Sequence, residues 1–181
     1  MSFNSRTESD ALVWGYDIGL AVNTGIGRAN NVSNYQTEDP RVTDRNWKAV
    51  RAGLNLAMPL GGDGWLFSSR GNLQYSGDVL ISGEQFGLGG TGSVRGTEIE
   101  RPLSADKGVT ASVELTTPQL APGLRAAGFV DAGHVRNNRP NGFNKPARDG
   151  LASVGLGLRW TAGPVTASLD YARLVDGSAV S

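Results

Sequence analysis

The chain lacks several residue types, and each absence excludes a class of protein. It has 181 residues with no cysteine and a single histidine. Disulfide scaffolds and thiolate metal sites are therefore excluded, as is a zinc site built on several histidines. Basic and acidic residues are equal in number, 17 of each. Because a nucleic-acid binder presents a basic stripe, this balance argues against nucleic acid as a partner.

Long apolar runs are also absent. No stretch approaches the roughly 18 apolar residues that a transmembrane helix needs. The first residues, Met-Ser-Phe-Asn-Ser-Arg-Thr-Glu, have neither the basic start nor the apolar stretch of a signal peptide. An outer-membrane protein needs such a signal, so we expect either a soluble protein or a fragment of a longer chain. Transmembrane β-strands escape the hydropathy test, because their apolar residues alternate with polar ones.

Such alternation is present in seven segments. From Leu12 to Val22, the even positions carry large apolar side chains, whereas the odd positions are mostly small or polar. A period of two predicts a β-strand, and the length suits a membrane crossing of about 9–11 residues. No segment predicts a helix. The seven predicted strands are 12–23, 48–60, 65–75, 109–116, 124–134, 152–160 and 165–171.

The connections between these strands alternate in length. Short turns at 61–64, 117–123 and 161–164 follow long polar connections at 25–46, 76–107 and 136–150. This asymmetry is typical of outer-membrane barrels, and a soluble β-sandwich does not predict it. On the apolar face, near the short turns, lie tryptophans suited to a membrane interface: Trp14, Trp65 and Trp160. The sequence therefore favours an all-β fold, an antiparallel portion of a transmembrane β-barrel.

Two motifs resemble those of one protein family. The run 84–96, Glu-Gln-Phe-Gly-Leu-Gly-Gly-Thr-Gly-Ser-Val-Arg-Gly, resembles a signature of two-partner-secretion transporters, the TpsB family of haemolysin and filamentous-haemagglutinin secretors. Phe129, Asp131 and Gly133 form a Phe-x-Asp-x-Gly pattern that resembles the second barrel motif of that family. The motifs occur in the order of the family, separated by one alternating hairpin. The resemblance extends over 12–176.

The resemblance implies a 16-stranded barrel with periplasmic POTRA domains and a plug helix. The seven predicted strands would be its ninth to fifteenth, and the connection 76–107 would be a long reentrant loop. Residues 1–181 would be a C-terminal part of the barrel domain, without the POTRA domains, the plug helix and the final strand. The resemblance further implies the bacterial outer membrane as location. The implied partners are a secreted TpsA-type exoprotein, outer-membrane lipid and the barrel-assembly machinery.

The resemblance also implies a loop lock. Arg95, on the reentrant loop, would pair with Asp131 on the barrel wall, and Glu114 would supply a further acid. Thr97 stands where the family usually has Tyr or Phe, so an aromatic anchor is missing. The glycines are expected to permit tight backbone with positive φ. The remaining motif residues are Gly89, Gly90, Val94 and Gly96 on the loop, and Phe129 and Gly133 on the wall.

The function implied is translocation of a partner exoprotein across the outer membrane, with no enzymatic step and no cofactor. A barrel-assembly insertase of the same superfamily is an alternative, disfavoured by the lead-in Glu-Gln-Phe at 84–86. A passive porin is another. Inward-facing arginines, which either contact the substrate or form a merely solvated wall, are Arg51, Arg70 and Arg159.

Two other patterns point to different chemistry and are rejected. Residues 87–92 fit G-x-G-x-x-G, but no helical pattern follows, as a dinucleotide-binding motif requires. His134 follows Asp131 by three positions, which places the two side chains on opposite faces of a strand. No G-x-S-x-G elbow supplies a nucleophilic serine. A hydrolase is therefore not expected.

Overall fold

The computed structural model describes residues 1–9, 12–27, 30–90, 92–97, 103–141 and 146–177. These ranges contain ten strands. They are β1 (Ser2–Ser9), β2 (Leu12–Val22), β3 (Lys48–Leu60), β4 (Trp65–Tyr75), β5 (Phe86–Leu88), β6 (Leu103–Ala105), β7 (Lys107–Thr116), β8 (Leu124–Arg136), β9 (Arg148–Ala162) and β10 (Val165–Asp176).

Eight strands form one antiparallel sheet in the order β1-β2-β3-β4-β7-β8-β9-β10. Neighbours in this sheet are therefore also consecutive long strands in the sequence, as in an up-and-down barrel wall. The short strands β5 and β6 pair with each other inside the connection from β4 to β7. The all-β antiparallel fold expected from the sequence is confirmed.

The sheet has one more strand than the seven predicted. The additional strand is β1, which pairs with β2 so that Phe3 lies opposite Ile18. Phe3 is the one large apolar residue on its face of β1, where the other positions are Ser5, Thr7 and Ser9. Because these side chains give no apolar alternation, the period-two test does not detect the strand.

The expectation that no segment is helical is wrong at one short element, α1 (Val32–Glu38). Asn31 caps it, since the Asn31 side chain accepts a hydrogen bond of 2.9 Å from the backbone N–H of Asn34. Seven residues are too few for a repeating apolar stripe, so periodicity gives no signal. A single 3-10 turn also occurs at Ser82–Glu84. No helix within the described ranges is long and apolar enough to cross a membrane.

The two faces of the sheet differ in chemistry. We define the outer face as the one that carries Leu156 and the inner face as the one that carries Asp131. On the outer face, Leu156 is 70% exposed, Leu169 69% and Tyr171 78%. Most exposed side chains of the inner face are polar, as at Asn72, and the exceptions, Pro59 and Leu174, lie near strand ends. A water-soluble sheet would bury its apolar face, so this arrangement is that of a wall with lipid outside and water inside.

The three tryptophans singled out from the sequence all lie on the outer face. Trp65 begins β4, directly after the turn 61–64, and Trp160 lies two residues before the end of β9. Trp14 lies near the start of β2 and stacks on Tyr16 with ring centroids 5.7 Å apart. All three are at the end of the sheet with the short turns, the expected position of an interfacial girdle.

Two clusters of buried apolar residues contain side chains of the β4–β7 connection. One cluster joins Leu88 and Ala105 of the connection to Val135 of β8. A second cluster, at the end of the sheet that bears the long connections, comprises Trp47, Ala49 and Leu80. The described parts of the connection are therefore packed onto the inner face.

Candidate functional site

The β4–β7 connection turns back over the inner face and places Arg95 there. Its apolar residues Leu88 and Val94 are fully buried against the wall. Gly89, Gly90 and Gly96 have φ angles of 117°, 78° and 85°. Side chains other than that of glycine rarely adopt these angles, so the glycines shape the tight return. We call this segment, residues 76–106, the reentrant loop.

Arg95 binds Asp131 in a bidentate arrangement. Its Nε lies 2.8 Å from Asp131 Oδ2 and its Nη2 lies 2.9 Å from Oδ1. The backbone N–H of Arg95 donates to the same carboxylate at 3.0 Å. Its remaining terminal nitrogen, Nη1, donates to Glu114 Oε2 at 2.8 Å. Charge-assisted, two-point contacts of this kind are among the strongest hydrogen bonds in proteins.

The Asp131 carboxylate is completely enclosed by donors. Its side chain is 1% exposed, and Ser112 on the neighbouring strand β7 donates to Oδ1 at 2.7 Å. The Arg95 side chain is 15% exposed. Burial alone lowers the pKa of the Arg95 guanidinium, but hydrogen bonds to Asp131 and Glu114 outweigh it, so the pKa lies above its usual value. Arg95 is therefore charged at neutral pH.

The other two residues of the wall motif also contact the loop. The ring of Phe129 lies under the guanidinium, with Arg95 Cζ 3.4 Å from the ring centroid. Gly133 leaves room for Leu88, because a Cβ atom added at Gly133 would overlap the Leu88 side chain. The spacing Phe-x-Asp-x-Gly thus puts three consecutive inward positions of β8 against one loop.

The ion pairs continue beyond the predicted residues. Glu114 also accepts from Arg159 on β9, with Nη2 2.7 Å from Oε2. Arg159 in turn donates to Asp170 on β10 at 2.5 Å, and Asp170 lies 3.5 Å from Arg95 Nη1. Two guanidinium groups and three carboxylates therefore form one connected network across β7 to β10. We call Arg95, Glu114, Asp131, Arg159 and Asp170 the lock network.

Sequence reasoning found part of this network. It brought Arg95, Glu114 and Asp131 together, and it placed Arg159 on the inner face without a partner. Asp170 was not singled out. Its inward position follows from alternation, but its proximity to Arg159 depends on the register of β9 with β10, which pairs Asp170 with Gly157 and Ser168 with Arg159. The other inward arginines lie elsewhere on the inner face.

Two hydroxyl groups of the loop form hydrogen bonds with the backbone of the same loop. Thr97 Oγ1 accepts from the backbone N–H of Gly90 at 2.5 Å and donates to the carbonyl of Val94 at 2.8 Å. Ser93 Oγ accepts from the N–H of Gly89 at 2.7 Å. Thr97, at the position where the resemblance implies a missing aromatic anchor, therefore holds the loop through its own backbone.

Neither rejected pattern acquires a site. His134 is exposed on the outer face, away from Asp131. Residues 93–97, which follow the G-x-G-x-x-G pattern, form turns around an isolated β-bridge at Val94 and no helix. Thr91 within that pattern lies outside the described residues. The described part of the chain contains no group of three or more His, Asp or Glu side chains suited to a metal ion.

Comparison with known proteins gives the family. A sequence model described as "Haemolysin secretion/activation protein ShlB/FhaC/HecB" matches residues 2–160. No curated protein gives a significant match. Proteins of the matched family are outer-membrane transporters of Gram-negative bacteria. The matched residues include both motifs and β1 to β9, except for the last two residues of β9. The chain therefore belongs to the ShlB/FhaC/HecB family of haemolysin secretion/activation proteins.

Proposed function

We propose that this sheet is part of the wall of an outer-membrane pore that exports an unfolded partner exoprotein, as in two-partner secretion. The observation that carries the proposal is the contrast between the two faces. The outer face exposes Leu156, Leu169 and Tyr171, whereas the inner face exposes polar side chains such as Asn55 and Asn72. The outer face suits contact with outer-membrane lipid. The barrel-assembly machinery would insert the protein into that membrane.

Export through such a wall requires no reacting group. An extended polypeptide needs a water-filled path without large apolar surfaces to which it would adhere. The lock network lines a cavity of about 580 Å³, which opens between the loop residues Gly92 and Ser93 and the wall residues Asn55 and Ser68. Apart from Leu56, its lining is polar or small, as expected for a surface along which a chain of varied sequence passes.

The lock network is proposed to hold the reentrant loop within this path. In the docked loop, Arg95 and Asp131 are shielded from water, so releasing the loop means separating a buried ion pair. Glu114 retains Arg159 as a partner if Arg95 leaves, which lowers the penalty for release. The network thus favours one docked position and still permits the loop to be displaced.

Measuring the export of the partner exoprotein tests this proposal. The changes Arg95→Ala and Asp131→Asn are made in the whole secretion protein, and the exoprotein released into the medium is quantified. Arg6→Ala is the matched control, because Arg6 is an inner-face arginine whose side chain is 69% exposed. We expect strongly reduced export for both lock variants and unchanged export for Arg6→Ala, at equal amounts of inserted protein.

The same experiment separates the alternatives. In a passive porin, the lock variants would leave the release of the exoprotein unaffected. In a barrel-assembly insertase, they would reduce the amounts of other outer-membrane barrels and leave no specific defect in one secreted partner. Either pattern would contradict the proposed function.

A further inference from the structure

A second buried charged cluster lies at the other end of the reentrant loop. It consists of Asp39 and Arg41, which follow α1, and Asp106, which directly precedes β7. The side chains of Arg41 and Asp106 are 3% and 0% exposed, and that of Asp39 is 4% exposed. Three charged side chains removed from water at one point require a specific geometry to be tolerated.

Arg41 is the centre of this cluster. Its Nη2 lies 2.6 Å from Asp39 Oδ2, and its Nη1 lies 2.9 Å from Asn137 Oδ1 and 3.3 Å from Asp106 Oδ2. Asp39 belongs to the connection between β2 and β3, Asp106 to the reentrant loop, and Asn137 to the connection between β8 and β9. One guanidinium therefore joins all three long connections.

Asp106 ties together the two ends of the reentrant loop. Its Oδ1 accepts from the backbone N–H of Leu80 at 2.8 Å, near the start of the loop. Its Oδ2 accepts from the N–H of Asn138 at 2.9 Å. Gln85 adds to the junction, since its Nε2 donates to the carbonyl of Leu80 at 3.0 Å and approaches Asp39 at 3.4 Å. The departure and return of the loop are thus fixed at one carboxylate.

We infer that Arg41 is a positioning residue that clamps the root of the reentrant loop and thereby sets where its Arg95 tip lies. The loop is then attached at two points, the tip through Asp131 and the root through Asp106. Apolar packing of equal volume generally stabilises a protein as well as a buried ion pair does. What Arg41 adds is directionality, because its planar fork donates hydrogen bonds to acceptors on three connections at once. Through the reentrant loop, the long connections are thereby coupled to the lock network.

The relevance of this clamp to export depends on the proposed function, but its test does not. This chain has no cysteine, so Gly92→Cys on the loop and Asn55→Cys on the wall can carry two spin labels. Both positions line the same cavity, and a Cβ atom at Gly92 meets no atom within 4 Å. Pulsed electron paramagnetic resonance on the whole inserted protein then gives the distribution of tip-to-wall distances.

We expect Arg41→Met to broaden this distribution towards that of Arg95→Ala. Arg45→Met, an exposed arginine of the same connection, is the control and should leave it unchanged. If Arg41→Met does not insert, Arg41→Lys replaces it, since lysine keeps the charge but not the fork and should also broaden the distribution.

An unchanged distribution in an inserted Arg41 variant would overturn the clamp, whatever happens to export. Failure of both Arg41 variants to insert, while Arg95→Ala inserts, would also overturn it and show that Arg41 serves folding alone. A broadened distribution with normal export would support the clamp and contradict the proposed role of the docked loop.

Discussion

Removing the Arg95 guanidinium should release the reentrant loop. The change leaves Asp131, which is 1% exposed, with Ser112 as its remaining side-chain donor, and it leaves Glu114 with Arg159. Breaking a buried pair by deleting one partner costs about 3–5 kcal/mol, because the other charge stays buried. Since Arg95 is itself 15% exposed, we take the lower end, about 3 kcal/mol. That is a factor of about 100 in the docking equilibrium.

A buried thiol on the loop reports this equilibrium. Val94, on the loop, is fully buried against the wall, so a Val94→Cys thiol is shielded while the loop is docked. When reclosing is fast, the rate of modification by a water-soluble maleimide is proportional to the undocked fraction. We therefore expect Arg95→Ala, in the Val94→Cys background, to raise the rate roughly 100-fold. Arg6→Ala should leave it unchanged.

A double-mutant cycle identifies the interaction responsible. Asp131→Ala alone should also raise the rate, and combining it with Arg95→Ala should add little, because both changes remove the same contact. Strictly additive effects, or a rise of less than about threefold for Arg95→Ala, would refute the reasoning.

Three further outcomes are expected. Gly133→Val should undock the loop, because the valine side chain would overlap Leu88. The rate at which maleimide modifies the Val94→Cys thiol should then increase as much as it does for Arg95→Ala. Phe129→Leu removes a cation–π contact worth about 1 kcal/mol, so the rate should rise about fivefold. Leu156→Lys on the outer face should lower the stability of the inserted protein by about 2–4 kcal/mol, measured by denaturant titration in vesicles, whereas Asn72→Lys on the inner face should not.

Most of what could be predicted about the fold came from the alternation of apolar and polar side chains. It located seven of the eight long strands because apolar residues recur at every second position, less cleanly in β8, whose outward positions include Ala126 and Gly128. β1 escaped because Ser5, Thr7 and Ser9 occupy positions that face outward with Phe3. α1 escaped because it is a single capped segment of seven residues. Both lack the repeating apolar signal on which such prediction depends.

The site could be predicted where a motif residue lay on a strand whose alternation shows which side chains face inward. Asp131 faces inward because of its position in β8, and the family resemblance supplied Arg95 as its partner. The role of Gly133 could not be foreseen, since it follows from the close approach of Leu88. The junction at Arg41 is likewise invisible in the sequence, because its partners Asp106 and Asn137 are 65 and 96 positions away. Such contacts depend on how three long connections pack.

If the sheet separates lipid from a water-filled path, the accessibility of cysteines along β4 must alternate. In the protein inserted in a membrane, single cysteines at Arg70 and Asn72 face inward and those at Gly71 and Leu73 face outward, and none of the four positions is buried. We expect a water-soluble maleimide to modify the inward positions and a membrane-soluble reagent the outward ones, in strict alternation. Equal modification of both sets by the water-soluble reagent, or the reverse pattern, would contradict it.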